Sequence, residues 1–332
     1  MSAKSEIMLS VGVLAYNHEK YIAQALNSIL MQKVDFEYEI VIGEDYSTDN
    51  TRNILLDFSA AYPDRIKLIL HDENLGMNAN ADSVRFSCKG RYMAFLDGDN
   101  YWTDENKLQK QIDFLESNKL YIGYAHKVYV VDENSEPSKA RYHASHCPDE
   151  IYTLSHAEKG MLPGQSGTYV FRNMFRDFTP AQRELYRNCD SVGDAKLALT
   201  LALNGPVYCS NEAMSAFRFV TDGASFSSWS YNSNLSLKYC HWLFERIRFA
   251  RECYGKDISY RYMLLDIGYH AFVELLRHPS GENLRIYRQT VTYQKSKFRL
   301  CLYVAKKCFL LPIRILKRKL NSRKNRNTPQ IA

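Results

Sequence analysis

The sequence predicts an α/β fold: a mostly parallel sheet flanked by helices, with a helical extension and a basic tail after it. Three observations carry this reading. Short apolar runs alternate with amphipathic stretches as far as Glu116, the pattern of strands joined by crossover helices. The apolar runs end in polar clusters, Tyr16-Asn17-His18, Glu44-Asp45, His71-Asp72 and Asp97-Gly98-Asp99-Asn100. Ligands of such sheets sit at the carboxyl ends of the strands. Charge is also divided along the chain. No acidic residue follows Glu282, whereas residues 283–332 hold 14 of the 43 Lys and Arg, leaving 29 basic against 37 acidic residues before them. An acidic body precedes a basic tail.

The elements follow in order. Leu9–Asn17 (LSVGVLAYN) reads as a strand, and about Lys20 to Met31 as a helix with Ile22, Leu26, Ile29 and Leu30 on its apolar face. YEIVIGEDYS is a second strand ending at Glu44-Asp45. Asn50 to Tyr62 is a helix carrying Ile54, Leu55 and Phe58, with Ser47 or Asp49 as its N-cap. RIKLILHDEN, a helix from Asn78 to Cys88, RYMAFLDGDN and a helix around Glu105–Glu116 repeat the alternation. Beyond it, IGYAHKVYVVDEN and SGTYVFRN read as strands, GDAKLALTLALNG as a helix closed by Gly205, and residues 233–278 as aromatic-rich helices. The predicted domains are 1–225, divided into halves 1–118 and 119–225, then a helical extension 226–285 and a basic amphipathic tail 286–332.

At 332 residues, 45% hydrophobic and 24% charged, the composition is that of a globular protein with a substantial core. The start MSAKSEIMLSVGVLAYN has no long apolar region before a small-residue cleavage site, so no signal peptide is expected. No stretch reaches the roughly 18 uninterrupted apolar residues of a membrane span. Eight cysteines without a C-x-x-C read as reduced thiols of a cytoplasmic protein.

The stretch YMAFLDGDNYW (Tyr92–Trp102) is the most informative. Side chains two apart on a strand share a face, so Asp97 and Asp99 can converge. Two carboxylates converging at a sheet end suit a hard cation, Mg2+ or Mn2+. A solvated Asp-Gly turn accounts for the same residues. From this stretch alone both readings stand.

Taken in order, LSVGVLAYNHEKYIAQALNSILMQ, EIVIGEDYSTDNT, HDENLGMNANADSVRFSCKGRYMAFLDGDNYW and SVGDAKLALTLALNGPVYCSNEAMSAFR resemble the family 2 glycosyltransferases of the GT-A (Rossmann-like) fold, of the bacterial surface-polysaccharide type. The resemblance is dense from residue 9 to about 115 and looser to about 218. It implies inverting transfer of a sugar from a nucleoside-diphosphate sugar to a hydroxyl of a glycan or lipid-linked acceptor, assisted by Mg2+ or Mn2+. It implies that Tyr16 stacks on the base and that Asp45 accepts a hydrogen bond from a uracil imide, which makes a UDP-sugar the expected donor. Glu44 and Tyr46 depart from the usual pattern there. Asp97 and Asp99 match the D-x-D motif, Asp99 on the metal and Asp97 on the metal, ribose or a metal-bound water. Asn100 stands where many relatives carry Asp. Asn78, with Asn80, matches a polar stretch lining the donor site. Asp194 matches the general base, with Asp190 as its substitute; capping the helix over 195–203 is the structural alternative, and a helix N-terminus would favour its ionised form.

Other features stay secondary. His143, His146 and Cys147 are close in sequence but fit no standard zinc spacing, and a polar loop explains them. Gln165–Thr168 and Trp229 are acceptor-site walls or core. In the tail, Leu302, Phe309, Leu310 and Leu311 alternate with Arg299, Lys306, Lys307 and Arg314, which suits an in-plane segment on an anionic membrane surface, or else a solvated basic tail. The expected place is therefore the cytoplasmic face of the inner membrane, and nucleic acid is not an expected partner. Two alternatives remain: a sugar-phosphate nucleotidyltransferase, which LAYNHEKYIAQ disfavours by lacking a Gly-rich phosphate loop, and a non-catalytic, membrane-associated nucleotide-sugar-binding module.

Overall fold

The computed structural model describes residues 6–138, 147, 149–219, 236–294 and 296–307. The first half alternates as expected: β1 (Leu9–Ala15), α1 (Ile22–Leu30), β2 (Tyr38–Glu44), α2 (Thr51–Ala61), β3 (Ile66–Leu70), α3 (Met77–Ser87) and β4 (Tyr92–Asp97). β5 (Tyr101–Trp102), α4 (Lys107–Ser117), β6 (Gly123–Val131), β7 (Ile151–Tyr152) and α5 (Leu154–Glu158) follow. Next come β8 (Val170–Arg172), α6 (Pro180–Arg187), α7 (Gly193–Asn204) and β9 (Val207–Arg218). The helices after these are α8 (Ser236–Tyr254), α9 (Arg261–Arg277) and α10 (Gly281–Thr292).

Among the described residues the strands form one sheet in the order β3-β2-β1-β4-β8-β6-β9-β5, with β7 on β9. β3, β2, β1 and β4 are parallel to one another. Their apolar runs are buried because helices cover both faces: Val11, Val13, Ile40, Ile42, Ala94 and Leu96 lie in one core with Ile22, Leu26 and Ile29 of α1. The second half is mixed. β8 runs antiparallel to β4 and β6, β6 is parallel to β9, and β5 and β7 are antiparallel to β9. The mostly parallel GT-A-like sheet is therefore present, with antiparallel strands where the chain returns without a crossover helix.

Two local expectations are corrected. The N-cap of α2 is Asn50, without a side-chain cap bond. Asp49 instead accepts from the backbone of Thr51 (2.9 Å) and Glu19 (3.0 Å), joining the turn after β1 to the turn after β2. α7 begins at Gly193 with Val192 at its N-cap, so Asp194 lies inside the first turn and does not cap the helix.

The described residues divide into two compact units: the sheet with its helices and residues 244–259, and residues 236–243 with 260–307. In the second unit, α9, α10 and a helical segment over residues 297–307 pack together. Gly268 leaves room for Leu300, which is 2% exposed; a Cβ there would lie 2.8 Å from the leucine. Tyr303 and Lys307 both bond Asp266, at 2.8 and 2.9 Å. Lys307, expected to meet lipid headgroups, thus has a carboxylate partner within this unit. Phe298 and Leu302 remain exposed. Phe309, Leu310, Leu311 and Arg314 lie outside the described residues, as do His143, His146 and Trp229.

Candidate active site

The connections from β1 to β2 to β3 move outward in one direction, and the chain then crosses back to place β4 on the other side of β1. The carboxyl ends of β1 and β4 thus flank the point where the winding reverses, the usual ligand crevice of such sheets. Register makes the ends level: Ala15 pairs with Glu44 and Leu14 with Asp97. Tyr16, Asp45 and Asp97 are brought together at one edge of the sheet by that alignment. Tyr16 is half-buried directly after β1.

Asp45 is 2% exposed, and its carboxylate accepts the backbone N–H of Leu75 (2.8 Å) and Gly76 (2.9 Å). It holds the 74–76 loop over the strand end, and each oxygen keeps a lone pair for a further donor. Glu44 beside it is occupied by Arg52 and by the Ser47 backbone N–H.

Asp97 ends β4 and Asp99 lies two residues on. Between them Gly98 approaches its neighbours closely: a Cβ would lie 2.6 Å from His18 Nδ1 and 2.8 Å from Ile22. Arg218, at the end of β9 and 2% exposed, fixes this loop. Its Nε donates to the Asp99 carbonyl (2.9 Å), and its backbone N–H donates to Asn100 Oδ1 (2.8 Å). The rest of the guanidinium bonds the carbonyls of Asp132 and Glu133, the Ser135 hydroxyl and Gln24. Asn100 thus spends its acceptor on Arg218 and turns its Nδ2 to Asp97 Oδ2 at 3.5 Å.

Across the cleft stands Asp194, in the first turn of α7. Ser166 links the two sides. Its hydroxyl donates to Asp97 Oδ2 at 3.5 Å and is near enough to Asp194 to stabilise that carboxylate, while Gln165 Nε2 donates to Asp97 at 3.3 Å. Gln165 and Ser166, expected as acceptor-site walls, sit between the two acidic groups. Burial, then the charges of Asp99 and Asp194, push the Asp97 carboxyl up to about 8. Burial also raises Asp194 above the usual carboxylate range, against the lowering effect of Ser166. This corrects the expectation that the helix end governs its ionisation, because burial outweighs it. Asp190, the substitute, is exposed.

Repulsion among three carboxylates is what a cation relieves, and an all-oxygen donor set suits a hard divalent ion. The residues present fit Mg2+ or Mn2+.

Asn78 and Asn80 have partners within the fold. Asn78 Nδ2 donates to the Ser191 carbonyl (3.2 Å), tying α3 to the turn before Asp194. Asn80 is buried and donates to the Gly43 carbonyl (3.0 Å). Sequence reasoning missed Arg218 and the charged cluster under α7. There Lys196 donates to the Tyr186 carbonyl (3.1 Å) and lies 3.9 Å from Asp82, which pairs with Arg85. A lysine within SVGDAKLAL, on an otherwise apolar helix, was the available signal.

Residues 10–179 match the profile of glycosyl transferase family 2. The chain belongs to that family. This family 2 glycosyltransferase is 36% identical over 126 residues to an uncharacterized protein of Mycobacterium bovis, a match covering 38% of this chain and 36% of that one. It is 31% identical over 130 residues to the Escherichia coli UDP-Glc:alpha-D-GlcNAc-diphosphoundecaprenol beta-1,3-glucosyltransferase WfgD, covering 39% and 49%. It therefore spans about a third to a half of the length of these relatives. The crystal structure of S. aureus TarS 1–349 in complex with UDP-GlcNAc is similar at a TM-score of 0.59 and 18% identity, over 86% of this chain and 80% of that one. The fold is thus shared well beyond the sequence match.

Proposed function

We propose that the chain is an inverting glycosyltransferase that moves a sugar from a UDP-sugar to a hydroxyl of a glycan or lipid-linked acceptor. The observation that carries this is the placement of Asp194 opposite Asp97 and Asp99, joined to Asp97 through Ser166. Asp99, with Asp97, would hold Mg2+ or Mn2+; when bound, the ion supplies charge stabilisation to the departing diphosphate. Asp45 and Tyr16 bind the base, and Gly98 lets the motif lie close against His18 and Ile22. Asp194 takes the proton of the acceptor hydroxyl as its oxygen attacks the anomeric carbon from the face opposite the diphosphate. Its raised proton affinity suits that role. The UDP preference is supported by the name of the E. coli relative and by the TarS complex, and a lipid-linked acceptor by the E. coli name.

The test is release of nucleoside diphosphate from a panel of nucleotide sugars with and without Mn2+. Metal-dependent release from one or two donors, lost in Asp99→Ala, is expected. With acceptor present, Asp194→Asn should reduce turnover by about 10²–10⁴-fold while donor binding persists. Donor binding or release that survives in Asp99→Ala at low metal would remove Asp99 from the site. A chain with intact donor binding and no transfer to any glycan or lipid-linked acceptor would favour the non-catalytic binding module.

We also propose that residues beyond Lys307 contact an anionic membrane surface at the cytoplasmic face. The support is the basic, apolar-interrupted composition of residues 308–332. Among the described residues no helix is long and apolar enough to cross a membrane.

A further inference from the structure

A second cluster of ligating side chains shares no residue with the carboxylate site. β7 pairs with β9, Tyr152 opposite Val207 and Ile151 opposite Tyr208, and the Cys209 N–H donates to the Glu150 carbonyl at 2.8 Å. This pairing lays the segment before β7 against β9. Cys147, buried, then lies beside Cys209, whose thiol donates to the Val207 carbonyl at 3.8 Å. Asp149 precedes β7, and His156 projects from α5 so that its Nε2 lies 2.7 Å from Asp149 Oδ2. One ligand atom from each of Cys147, Asp149 and His156 lies within 4.8 Å of the others.

We propose that Cys147, Cys209, His156 and Asp149 form a site for a thiophilic divalent cation of the zinc class. Two sulfurs, an imidazole nitrogen and a carboxylate oxygen are a donor set for Zn2+, which takes four such ligands tetrahedrally. Bonds of 2.0–2.3 Å place tetrahedral ligand atoms about 3.6 Å apart, so Cys147, Asp149 and His156 need to close by about an ångström, and Cys209, outside that group of three, by more. Asp149 is exposed and free to make that movement, and it leaves the ion a path of entry. The sequence concealed the site because two partners of Cys147, His156 and Cys209, come from α5 and β9, beyond the HASHCPDE stretch that holds Asp149.

The histidine has a support for the bound state. Its Nδ1 now accepts from the Thr153 backbone N–H at 3.1 Å, which leaves the proton on Nε2, facing Asp149. An ion on Nε2 displaces that proton to Nδ1, which then gives up its bond from the Thr153 N–H and donates to Thr153 Oγ1, also 3.1 Å away. The ion would brace the 147–156 segment on β9. That segment supports the loop before Gln165 and Ser166: Tyr152 donates to the Met161 carbonyl (2.9 Å), and the Cys147 N–H to the Pro163 carbonyl (3.5 Å).

The test uses the full chain, purified with reductant, stripped of metal and titrated with Co2+ while thiolate-to-cobalt charge-transfer absorption is recorded. Zn2+ retained after gel filtration is measured by mass spectrometry. The expected result is one thiolate-bound Co2+ per chain, displaced by Zn2+, with a higher Tm in the zinc form. Asp149→Asn, at an exposed position, should weaken Zn2+ binding about tenfold or more, and Cys209→Ser should remove most of the absorption. Cobalt held by Asp97 and Asp99 gives no such band, so the active site does not mimic the signal. Absence of the band at saturating Co2+, with all eight cysteines titrating as thiols, overturns the proposal. So does a band unaltered in both Asp149→Asn and Cys209→Ser.

Discussion

Ser166 is a small side chain with a large reach, since it touches both acidic sides of the cleft. Its bond lowers the proton affinity of Asp194. In Ser166→Ala that lowering is lost, so the acid limb of the kcat/KM profile should move to higher pH, while donor affinity changes little. A limb that stays in place would separate Ser166 from the base. Lys107 makes a different residue-scale case. It is fully buried, donates to Gln111 Oε1 at 2.7 Å and lies 4.1 Å from the Trp102 ring. Burial pushes its pKa well below the ordinary lysine value. The unfolded chain then binds more protons than the folded one over the alkaline range, so stability from this group rises with pH. As pH rises into the alkaline range, the urea midpoint of the wild type should gain on that of Lys107→Met. Asp45, Asp97 and Asp99 were legible because each interrupts or follows an apolar run. Ser166 and Arg218 were not, because their partners lie far away in sequence and no local period marks them.

At the scale of elements, α3 and α7 are coupled through one side chain. Asn78, expected to line the donor site, bonds the Ser191 carbonyl just before the helix that bears Asp194. Asn78→Ala should lower kcat about five- to tenfold, as expected for the loss of roughly 1 kcal/mol of a hydrogen bond, with little change in donor KM. A pure rise in donor KM would restore the donor-site reading. The parallel half of the sheet was readable element by element, since strands buried on both faces are continuous apolar runs. The antiparallel return of β8 and the pairing of β7 on β9 were not, for two- and three-residue strands carry too little pattern. α7 starts at Gly193, as GDAKLALTLALNG suggested, and this removes the capping alternative for Asp194. Gly193 is a poor helix former, yet it opens the helix, and Asp194 therefore falls inside it.

At the scale of the molecule, the point at which the tail begins changes the truncation that tests it. Residues 297–307 belong to the folded second unit through Leu300, Tyr303 and Lys307. Removing 308–332 should therefore release the chain from anionic vesicles, leaving donor binding and Tm nearly unchanged. Cutting before Leu300 should lower Tm as well. Vesicle binding that survives the shorter cut would end the tail hypothesis. The strand order has a consequence of another kind. β1, the first strand to be synthesised, lies between β2 and β4, and the sheet around it is not finished until β9 ends at Arg218. At roughly 5–20 residues per second on the ribosome, about ten seconds or more pass before the last strand exists. For that interval apolar strands meant for the middle of a sheet have open edges, and a nascent chain of this design calls for a chaperone before it calls for a substrate.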